Sequence, residues 1–258
     1  MLHLRTSLAR SISRPSSVLM RSLATIGTRV EHAQNALANA DAVCFDVDST
    51  VITSEGIDDL AAYLDTVKPG VGAKVAELTF QAMEGGMPFH EAIEKRMAIM
   101  QPSKQDLADM LKSHPLVLTP GVADLIAGLQ QRNQEVYLVS GGFRQMIEPI
   151  AEQVNVSKDK IYANTFLFND DGSFKEHLKT EPTSRAGGKA KVVADLKAKH
   201  GYKTVVMVGD GATDMEARDI EGGADAFIGF GGIAEREKVK AGADWFVYDF
   251  KDMTAQLK

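Results

Sequence analysis

The chain has 258 residues, with 29 Lys and Arg against 35 Asp and Glu, so its formal net charge is −6 at pH 7. No apolar run approaches the ~18 residues of a membrane span, and the single Cys44 excludes an internal disulfide. The acidic excess argues against a nucleic-acid-binding protein, which normally carries a basic stripe. We therefore expect a globular protein with no membrane and no nucleic-acid partner.

Residues 1–30 differ from the rest of the chain in charge. They contain five Arg, no Lys and no acid, whereas the remaining chain has 24 basic and 35 acidic residues. The segment is also rich in Ser, and four apolar residues could share one helical face: Leu2, Leu4, Leu8 and Ile12. This composition is typical of an organellar transit peptide. We predict a disordered targeting segment over 1–30, for the mitochondrion or the chloroplast, with the mitochondrion slightly favoured. The alternative is a disordered start with no targeting role.

Five continuous apolar runs predict β-strands, at 42–45, 136–139, 205–208, 226–228 and 245–247. Because these runs do not alternate with polar residues, the strands should be buried on both faces, as in a parallel sheet. Helical patterns lie between them, including 122–131, 143–154 and 189–200. The alternation predicts an α/β fold with a doubly wound, mainly parallel sheet.

Two segments depart from this alternation. Residues 55–118 carry helical patterns and no strand, and they are too many for one crossover helix. We predict an inserted helical cap there, with the α/β core formed by 31–54 and 119–258. Residues 161–168 and 173–178 flank an Asp-Gly turn and predict a β-hairpin.

Polar residues follow three of the predicted strands. They are Asp46-Val47-Asp48-Ser49-Thr50, Ser140-Gly141-Gly142 and Gly209-Asp210-Gly211-Ala212-Thr213-Asp214. Ligands of open α/β sheets bind beyond the carboxyl ends of the strands, so these ends should converge. Four carboxylates held this close together repel one another and require a cation. Oxygen ligands without paired His or Cys indicate Mg²⁺ rather than zinc. A single Asp after a strand is more often a turn or a helix cap, but three polar strand ends favour a site.

An anion site is predicted beside these carboxylates. Ser140-Gly141-Gly142 precedes a helix whose free N–H groups suit a phosphate, and the glycines permit a close approach. Lys189 begins a helix, where a cation opposes the dipole, so it is either a surface Lys or a phosphate-neutralising group. A P-loop is excluded because Ala190 follows Lys189 and position 183 is Thr.

Two charged residues in the cap region could bind the two ends of an amino acid. Arg96 falls within the apolar stripe of its helix, seven residues after Phe89. It either snorkels at the stripe edge or binds a carboxylate through two hydrogen bonds. Glu55 lies at a helix start, where it either stabilises the dipole or binds an ammonium group. Beside a phosphate site, the pair would suit a phosphorylated amino acid.

The motifs resemble, in order, those of the haloacid dehalogenase superfamily. More narrowly, residues 139–144, 181–185 and 209–214 are similar to the phosphoserine phosphatase family, and the resemblance covers roughly residues 42–250. It implies a haloacid-dehalogenase-like fold and Mg²⁺-dependent hydrolysis of O-phospho-L-serine through an aspartyl-phosphate, the final step of phosphorylated serine biosynthesis.

The resemblance also implies residue roles. Asp46 would be the nucleophile, Asp48 the general acid and base, and Lys189 a catalytic charge neutraliser. The implied metal ligands are Asp46, Asp48 through its backbone carbonyl, Asp210 and Asp214. The implied substrate contacts are Glu55, Met83, Glu84, Arg96, Ser140, Gly141, Gly142, Lys189, Thr213 and Arg236. Glu84 stands where relatives usually carry Gly, and the stretch 219–223 looks longer than in some relatives.

Three functions remain open at this point. Phosphoserine hydrolysis is the leading hypothesis. The same chemistry on another small phosphomonoester, or transfer to an alcohol, is the second, and a non-catalytic phospho-ligand or metal-binding module is the third. The sequence leaves the oligomeric state open.

Overall fold

The computed structural model describes residues 17–83 and 88–257, and eight strands form two sheets in it. In chain order the strands are β1 (Ala42–Phe45), β2 (Glu135–Phe143), β3 (Ile161–Asn164), β4 (Phe166–Phe168), β5 (Phe174–His177), β6 (Val205–Gly209), β7 (Ala226–Phe230) and β8 (Trp245–Val247). The main sheet has the order β3-β2-β1-β6-β7-β8, and all its neighbouring strands are parallel. This confirms the predicted fold class.

Eleven α-helices are described. They are α1 (Ser17–Ala38), α2 (Gly56–Val67), α3 (Val71–Met83), α4 (Phe89–Met100), α5 (Lys104–Ser113), α6 (Val122–Gln131), α7 (Arg144–Gln153), α8 (Gly188–His200), α9 (Ala212–Met215), α10 (Glu237–Gly242) and α11 (Phe250–Thr254). Within the described ranges, none has both the length and the apolar character that crossing a membrane requires.

The central strands are buried on both faces, which explains their unbroken apolar sequence. Val43 and Phe45 of β1 belong to one hydrophobic cluster, whereas Ala42 and Cys44 belong to a second cluster on the opposite face. All four are fully buried. Burying a large apolar side chain contributes about 1.5–3 kcal/mol, so strand β1 is firmly anchored where its carboxyl end carries Asp46.

Helices α2 to α5 lie between β1 and β2 and form the helical insertion. The segment that enters the insertion and the segment that leaves it run side by side. Thr53 N donates to Val117 O at 3.0 Å, and Thr119 N donates to Val51 O at 2.9 Å. Helix α5 begins with a capping box, in which the Ser103 side chain and the Asp106 side chain each accept from the other's backbone N–H. The insertion is thus a set of helices joined to the core through two segments that are hydrogen-bonded to each other.

The second half of the predicted N-terminal tail is helical from Ser17, and Arg29 near its end contacts the core. Helix α1 begins at Ser17, within the segment predicted to be disordered. Arg29 donates to Gly242 O at 2.6 Å and to Ala243 O at 2.8 Å, and Leu37 further along is fully buried. The structure thus differs from the predicted disorder over 17–30, where the backbone is helical. Residues 1–16 lie outside the described residues.

The predicted hairpin also differs from the structure. Residues 161–168 form two strands rather than one: β3 adds to the edge of the main sheet beside β2, and only β4 pairs with β5. Ala163 and Asn164 are fully buried. This half of the segment is therefore covered on both faces, which an isolated hairpin could not provide. The turn itself is as expected, with Gly172 at φ 82°.

Candidate active site

The first polar strand end folds into a wide turn at the carboxyl edge of the sheet. Asp46 N donates to Val208 O of β6 at 2.9 Å, which continues the strand pairing into the turn. Residues Val47–Val51 then curl back, and Ile52 N donates to Val47 O at 2.9 Å. Val47 N donates to Asp46 Oδ1 at 2.7 Å. The turn therefore fixes Asp46 at the sheet edge with one carboxylate oxygen already engaged.

Three carboxylates converge at this edge. One oxygen from each of Asp46, Asp210 and Asp214 lies within 4.8 Å of the others, and all three residues are buried. Gly209 leaves room for this approach, since a Cβ there would lie 2.3 Å from the Asp214 carboxylate. Burial, together with the charge of Asp214, raises the pKa of Asp46 well above its ordinary value. The cluster carries more negative charge than a buried site tolerates without cations.

Lys189 supplies one of those cations. Its Nζ lies 2.7 Å from Asp46 Oδ1 and 2.8 Å from Asp214 Oδ1, and its side chain is only 11% exposed. Burial alone would lower the pKa of Lys189, but the charges of Asp214 and Asp46 outweigh it and raise that pKa. Gly188 permits this placement, because a Cβ there would lie 2.0 Å from Pro182 O. Lys189 is not a surface residue.

Asp48 faces the second strand end instead of the carboxylate cluster. Gly56 N donates to Asp48 Oδ1 at 2.7 Å, and Ser140 Oγ donates to Asp48 Oδ2 at 3.2 Å. Gly142 N donates to Ser140 Oγ at 2.8 Å, and a Cβ on Gly142 would lie 2.9 Å from Asp48 Oδ2. Burial raises the pKa of Asp48, so this carboxyl group holds a proton more readily than an exposed aspartate does.

A buried pair supports the Ser140-Gly141-Gly142 segment from behind. Asn164 Nδ2 donates to Gly141 O at 2.8 Å, and Thr183 Oγ1 donates to Asn164 Oδ1 at 3.2 Å. Both side chains belong to buried residues. The sequence analysis did not single out Asn164, although a polar residue at the end of an apolar strand is the signal that could have found it.

Arg236 contacts Asp210, the third carboxylate of the cluster, and lies close to Glu55. Arg236 donates to Asp210 Oδ2 from Nε at 2.9 Å, and its second nitrogen lies 3.6 Å from Glu55 Oε1. Ser49 Oγ donates to the same Glu55 oxygen at 2.7 Å. Burial, and then the charge of Asp48, raise the pKa of Glu55 to about 7. Arg236 was expected to contact substrate, and the structure places its guanidinium on Asp210, a pairing that no sequence pattern indicates.

Arg96 in the helical insertion has an unused hydrogen-bonding group. Its Nε is buried and has no hydrogen-bond partner among the described residues. Burial lowers the pKa of Arg96, while the charges of Asp58 and Glu55 oppose that shift. A buried donor without a partner is costly, so the position suits a ligand that completes it. Asp58 was not predicted to be near Arg96.

Comparison with known proteins gives the family. The family model of haloacid dehalogenase-like hydrolases matches residues 43–218. Phosphoserine phosphatase of Bos taurus is 46% identical over 231 residues, which is 89% of this chain and 99% of that protein. Chloroplastic phosphoserine phosphatase of Arabidopsis thaliana is 46% identical over 219 residues, 85% of this chain and 72% of that protein. The chain belongs to the phosphoserine phosphatase family of haloacid dehalogenase-like hydrolases.

Solved structures of the phosphoserine phosphatase family agree with this assignment. A substrate-bound phosphoserine phosphatase complex and a phospho-aspartyl intermediate analogue of phosphoserine phosphatase each match with a TM-score of 0.69. Each is 25% identical and covers 84% of this chain and 98% of its own. The resemblance inferred from the motifs is confirmed.

The remaining family positions are only partly described. Thr213 is exposed on the short helix α9. Met83 is the last residue of α3, and its side chain is outside the described part of the structure, as is Glu84 altogether. The effect of Glu84 on substrate binding stays a prediction.

Proposed function

We propose that the protein hydrolyses O-phospho-L-serine to L-serine and phosphate through an aspartyl-phosphate intermediate, as the final step of phosphorylated serine biosynthesis. The observation that carries this function is the buried Asp46 carboxylate, which Lys189 contacts at 2.7 Å beside Asp210 and Asp214. The identity of the substrate is inferred from the phosphoserine phosphatases to which this chain is similar. A protein that only binds a ligand does not need a buried carboxylate paired with Lys189. Nor does it need a second carboxyl group, Asp48, whose pKa is raised by burial.

Asp46 has one oxygen available for nucleophilic attack. Its Oδ1 accepts from Val47 N and from Lys189, while Oδ2 has no hydrogen-bond partner among the described residues. In the first step a bond forms between Asp46 Oδ2 and phosphorus, and the bond from phosphorus to the serine oxygen breaks. Lys189 offsets the negative charge that gathers around the phosphoryl group.

Asp48 is suited to move the proton in both steps. Its raised pKa, caused by burial, lets it give a proton to the departing serine oxygen. The resulting carboxylate then takes a proton from the water that attacks phosphorus, and Asp46 leaves as a carboxylate. Gly56 N and Ser140 Oγ fix the orientation of the Asp48 carboxylate for this role.

We propose Mg²⁺ as the cofactor, held by Asp46, Asp210 and Asp214 with the backbone carbonyl of Asp48. The fit rests on three buried carboxylates whose oxygens lie within 4.8 Å of one another, with no His or Cys in the group. When bound, the ion supplies positive charge that polarises the phosphoryl oxygens. Asp210 also accepts from Thr50 Oγ1 at 3.4 Å, which orients it toward the cluster.

The substrate contacts follow from charge. We propose that Glu55 binds the ammonium group and Arg96 the carboxylate of phosphoserine, while the Ser140 hydroxyl and the Gly141 N–H bind phosphate oxygens. Gly142, whose N–H donates to Ser140 Oγ, is proposed as a further position beside the substrate. Arg96 fits this role because its buried Nε has no described partner. Met83, Glu84, Thr213 and Arg236 are proposed as further positions around the bound substrate.

The decisive experiment is phosphate release from O-phospho-L-serine, measured with Mg²⁺ and with EDTA. Asp46→Asn should abolish turnover while the far-UV circular dichroism spectrum stays unchanged, and retained activity would contradict the assigned nucleophile. Arg96→Ala should raise KM for phosphoserine, because a carboxylate loses its charge-assisted partner. Lys95→Ala is the matched control, since Lys95 on the same helix is 48% exposed and pairs with Glu91.

We also propose that residues 1–30 direct the protein to an organelle, either the mitochondrion or the chloroplast, with the mitochondrion slightly favoured. The support is the Arg-rich, acid-free composition and the chloroplastic relative. A fluorescent fusion of residues 1–30 should enter one organelle, and a fusion that stays in the cytosol would contradict the proposal.

A further inference from the structure

Ser49 lies in the wide turn after Asp46 in an unusual conformation. It has φ 52° and ψ 10°, in the left-handed region that few residues other than Gly adopt. Its N–H donates to Ser54 O at 3.0 Å, which holds this conformation. The residue is only 5% exposed. A strained, buried polar residue beside a functional site indicates that the site needs its side chain in one place.

The Ser49 hydroxyl contacts Glu55. Its Oγ donates to Glu55 Oε1 at 2.7 Å, and Arg236 approaches the same oxygen at 3.6 Å. Glu55 Oε2 has no hydrogen-bond partner among the described residues. Glu55 also makes no side-chain cap bond to helix α2, although it occupies the N-cap position. Helix capping therefore does not explain how this carboxylate is held.

We propose that Ser49 is a positioning residue for ammonium recognition. A glutamate side chain has several rotatable bonds, and holding Oε1 at Ser49 and Arg236 leaves Oε2 directed at one place. Fixing a charged group in its binding orientation before the ligand arrives removes part of the entropy cost of binding. The inference rests on the proposed function, since it assigns Ser49 a part in discriminating phosphoserine from phosphomonoesters without an ammonium group.

The test compares two substrates across matched variants. The substrates are O-phospho-L-serine and 3-phosphooxypropanoate, which is the same molecule without its ammonium group. The variants are Ser49→Ala, Glu55→Gln, their double variant, and Ser54→Ala as the control. Ser54 lies in the same loop, but its Oγ donates to Asp59 Oδ2 at 2.5 Å, away from Glu55. Steady-state kcat and KM are measured for each enzyme with Mg²⁺.

Ser49→Ala should raise KM for phosphoserine about tenfold, as expected for loss of a hydrogen bond to a charged group. Its kcat should change less than about twofold, and kcat/KM for 3-phosphooxypropanoate should stay the same, because that substrate has no ammonium group to lose. In the Glu55→Gln background, Ser49→Ala should add little further change. Ser54→Ala should match the wild type for both substrates.

The outcomes separate this inference from the proposed function. If Ser49→Ala weakens both substrates equally, the hydroxyl only maintains the turn and the inference is overturned, while phosphoserine hydrolysis by the wild type still stands. If the wild type releases no phosphate from phosphoserine, the proposed function and the inference fail together. Ser49→Gly removes the same hydroxyl and suits φ 52°, so it provides the same comparison should Ser49→Ala fold poorly.

Discussion

Lys189 is held between two buried carboxylates, and its removal should cost more stability than removal of any exposed lysine. At 2.8 Å from Asp214, the gross attraction is roughly 6 kcal/mol for an effective dielectric constant of about 20. Desolvation offsets much of that attraction in the intact pair. Removing Lys189 leaves Asp46 and Asp214 buried without that cation, at a cost of about 3–5 kcal/mol. Removing Asp214 leaves Lys189 paired with Asp46 and should cost less.

A double-mutant cycle isolates this interaction. Lys189→Met and Asp214→Asn should each lower the free energy of unfolding, and the double variant should lose about 1–3 kcal/mol less than the two single losses combined. The amide oxygen introduced by Asp214→Asn can still accept from Gly211 N, which donates to Asp214 Oδ2 at 2.9 Å in the native chain. Urea denaturation in EDTA, followed by circular dichroism, measures all four proteins without added metal.

Lys191→Met is the matched control on the same helix. Lys191 is 64% exposed and pairs with Asp195 one turn away, an interaction worth under about 0.5 kcal/mol. If the losses from Lys189→Met and Asp214→Asn add without coupling, or if Lys189→Met costs no more than Lys191→Met, the buried ion pair does not hold the cluster together and the reasoning is refuted.

Three further predictions concern the fold. Asp41 accepts from Thr204 N and Lys203 N, which lowers its pKa below the ordinary 3.8; in urea denaturation Asp41→Ala should therefore cost about 0.5–1 kcal/mol, discounted for its exposure. That difference from the wild type should be constant from pH 7 to 5 and should shrink as the pH falls below about 4; a difference that grows in acid would contradict it. Gly188→Ala should unfold at a clearly lower urea concentration than Gly201→Ala, because a Cβ at Gly188 would lie 2.0 Å from backbone. A Cβ at Gly201 meets nothing within 4 Å, and only the φ of 69° is unfavourable there. Equal urea midpoints for the two variants would show that the loop before α8 shifts to make room for the Cβ. Cys44 is buried and its pKa is raised to about 12 by burial, so a thiol reagent should label it only after unfolding, and rapid native labelling would show that β1 opens.

The sequence predicted the elements whose signal is local. Continuous apolar runs indicated five strands of the parallel sheet, and the polar residues after them marked the edge where Asp46, Asp210 and Asp214 converge. Local pattern also indicated helices and no strand over 55–118, where the structure has α2 to α5. Each of these features depends on residues close together in the chain.

The rest depended on partners that only the tertiary structure brings together. Asn164 reaches Gly141 across 23 positions, and Arg236 reaches Asp210 across 26. Neither pair has a spacing that a sequence pattern reveals. The division of 161–168 into two strands likewise follows from which half the main sheet covers, and the contact of Arg29 with Gly242 joins positions 213 residues apart.

The net charge of the chain does not oppose an anionic substrate once the site is considered locally. Surface charges more than about 8 Å apart are largely screened at physiological ionic strength, so most of the acidic excess acts only weakly on a ligand at the sheet edge. Within reach of that ligand stand Lys189, Arg236 and the proposed cation. Lys189 and Arg236 are already paired with Asp46, Asp214 and Asp210, which leaves little positive charge for a phosphate. On the proposed function, the cation is therefore needed for phosphate binding as well as for chemistry, because Lys189 and Arg236 together balance only two of the three carboxylates.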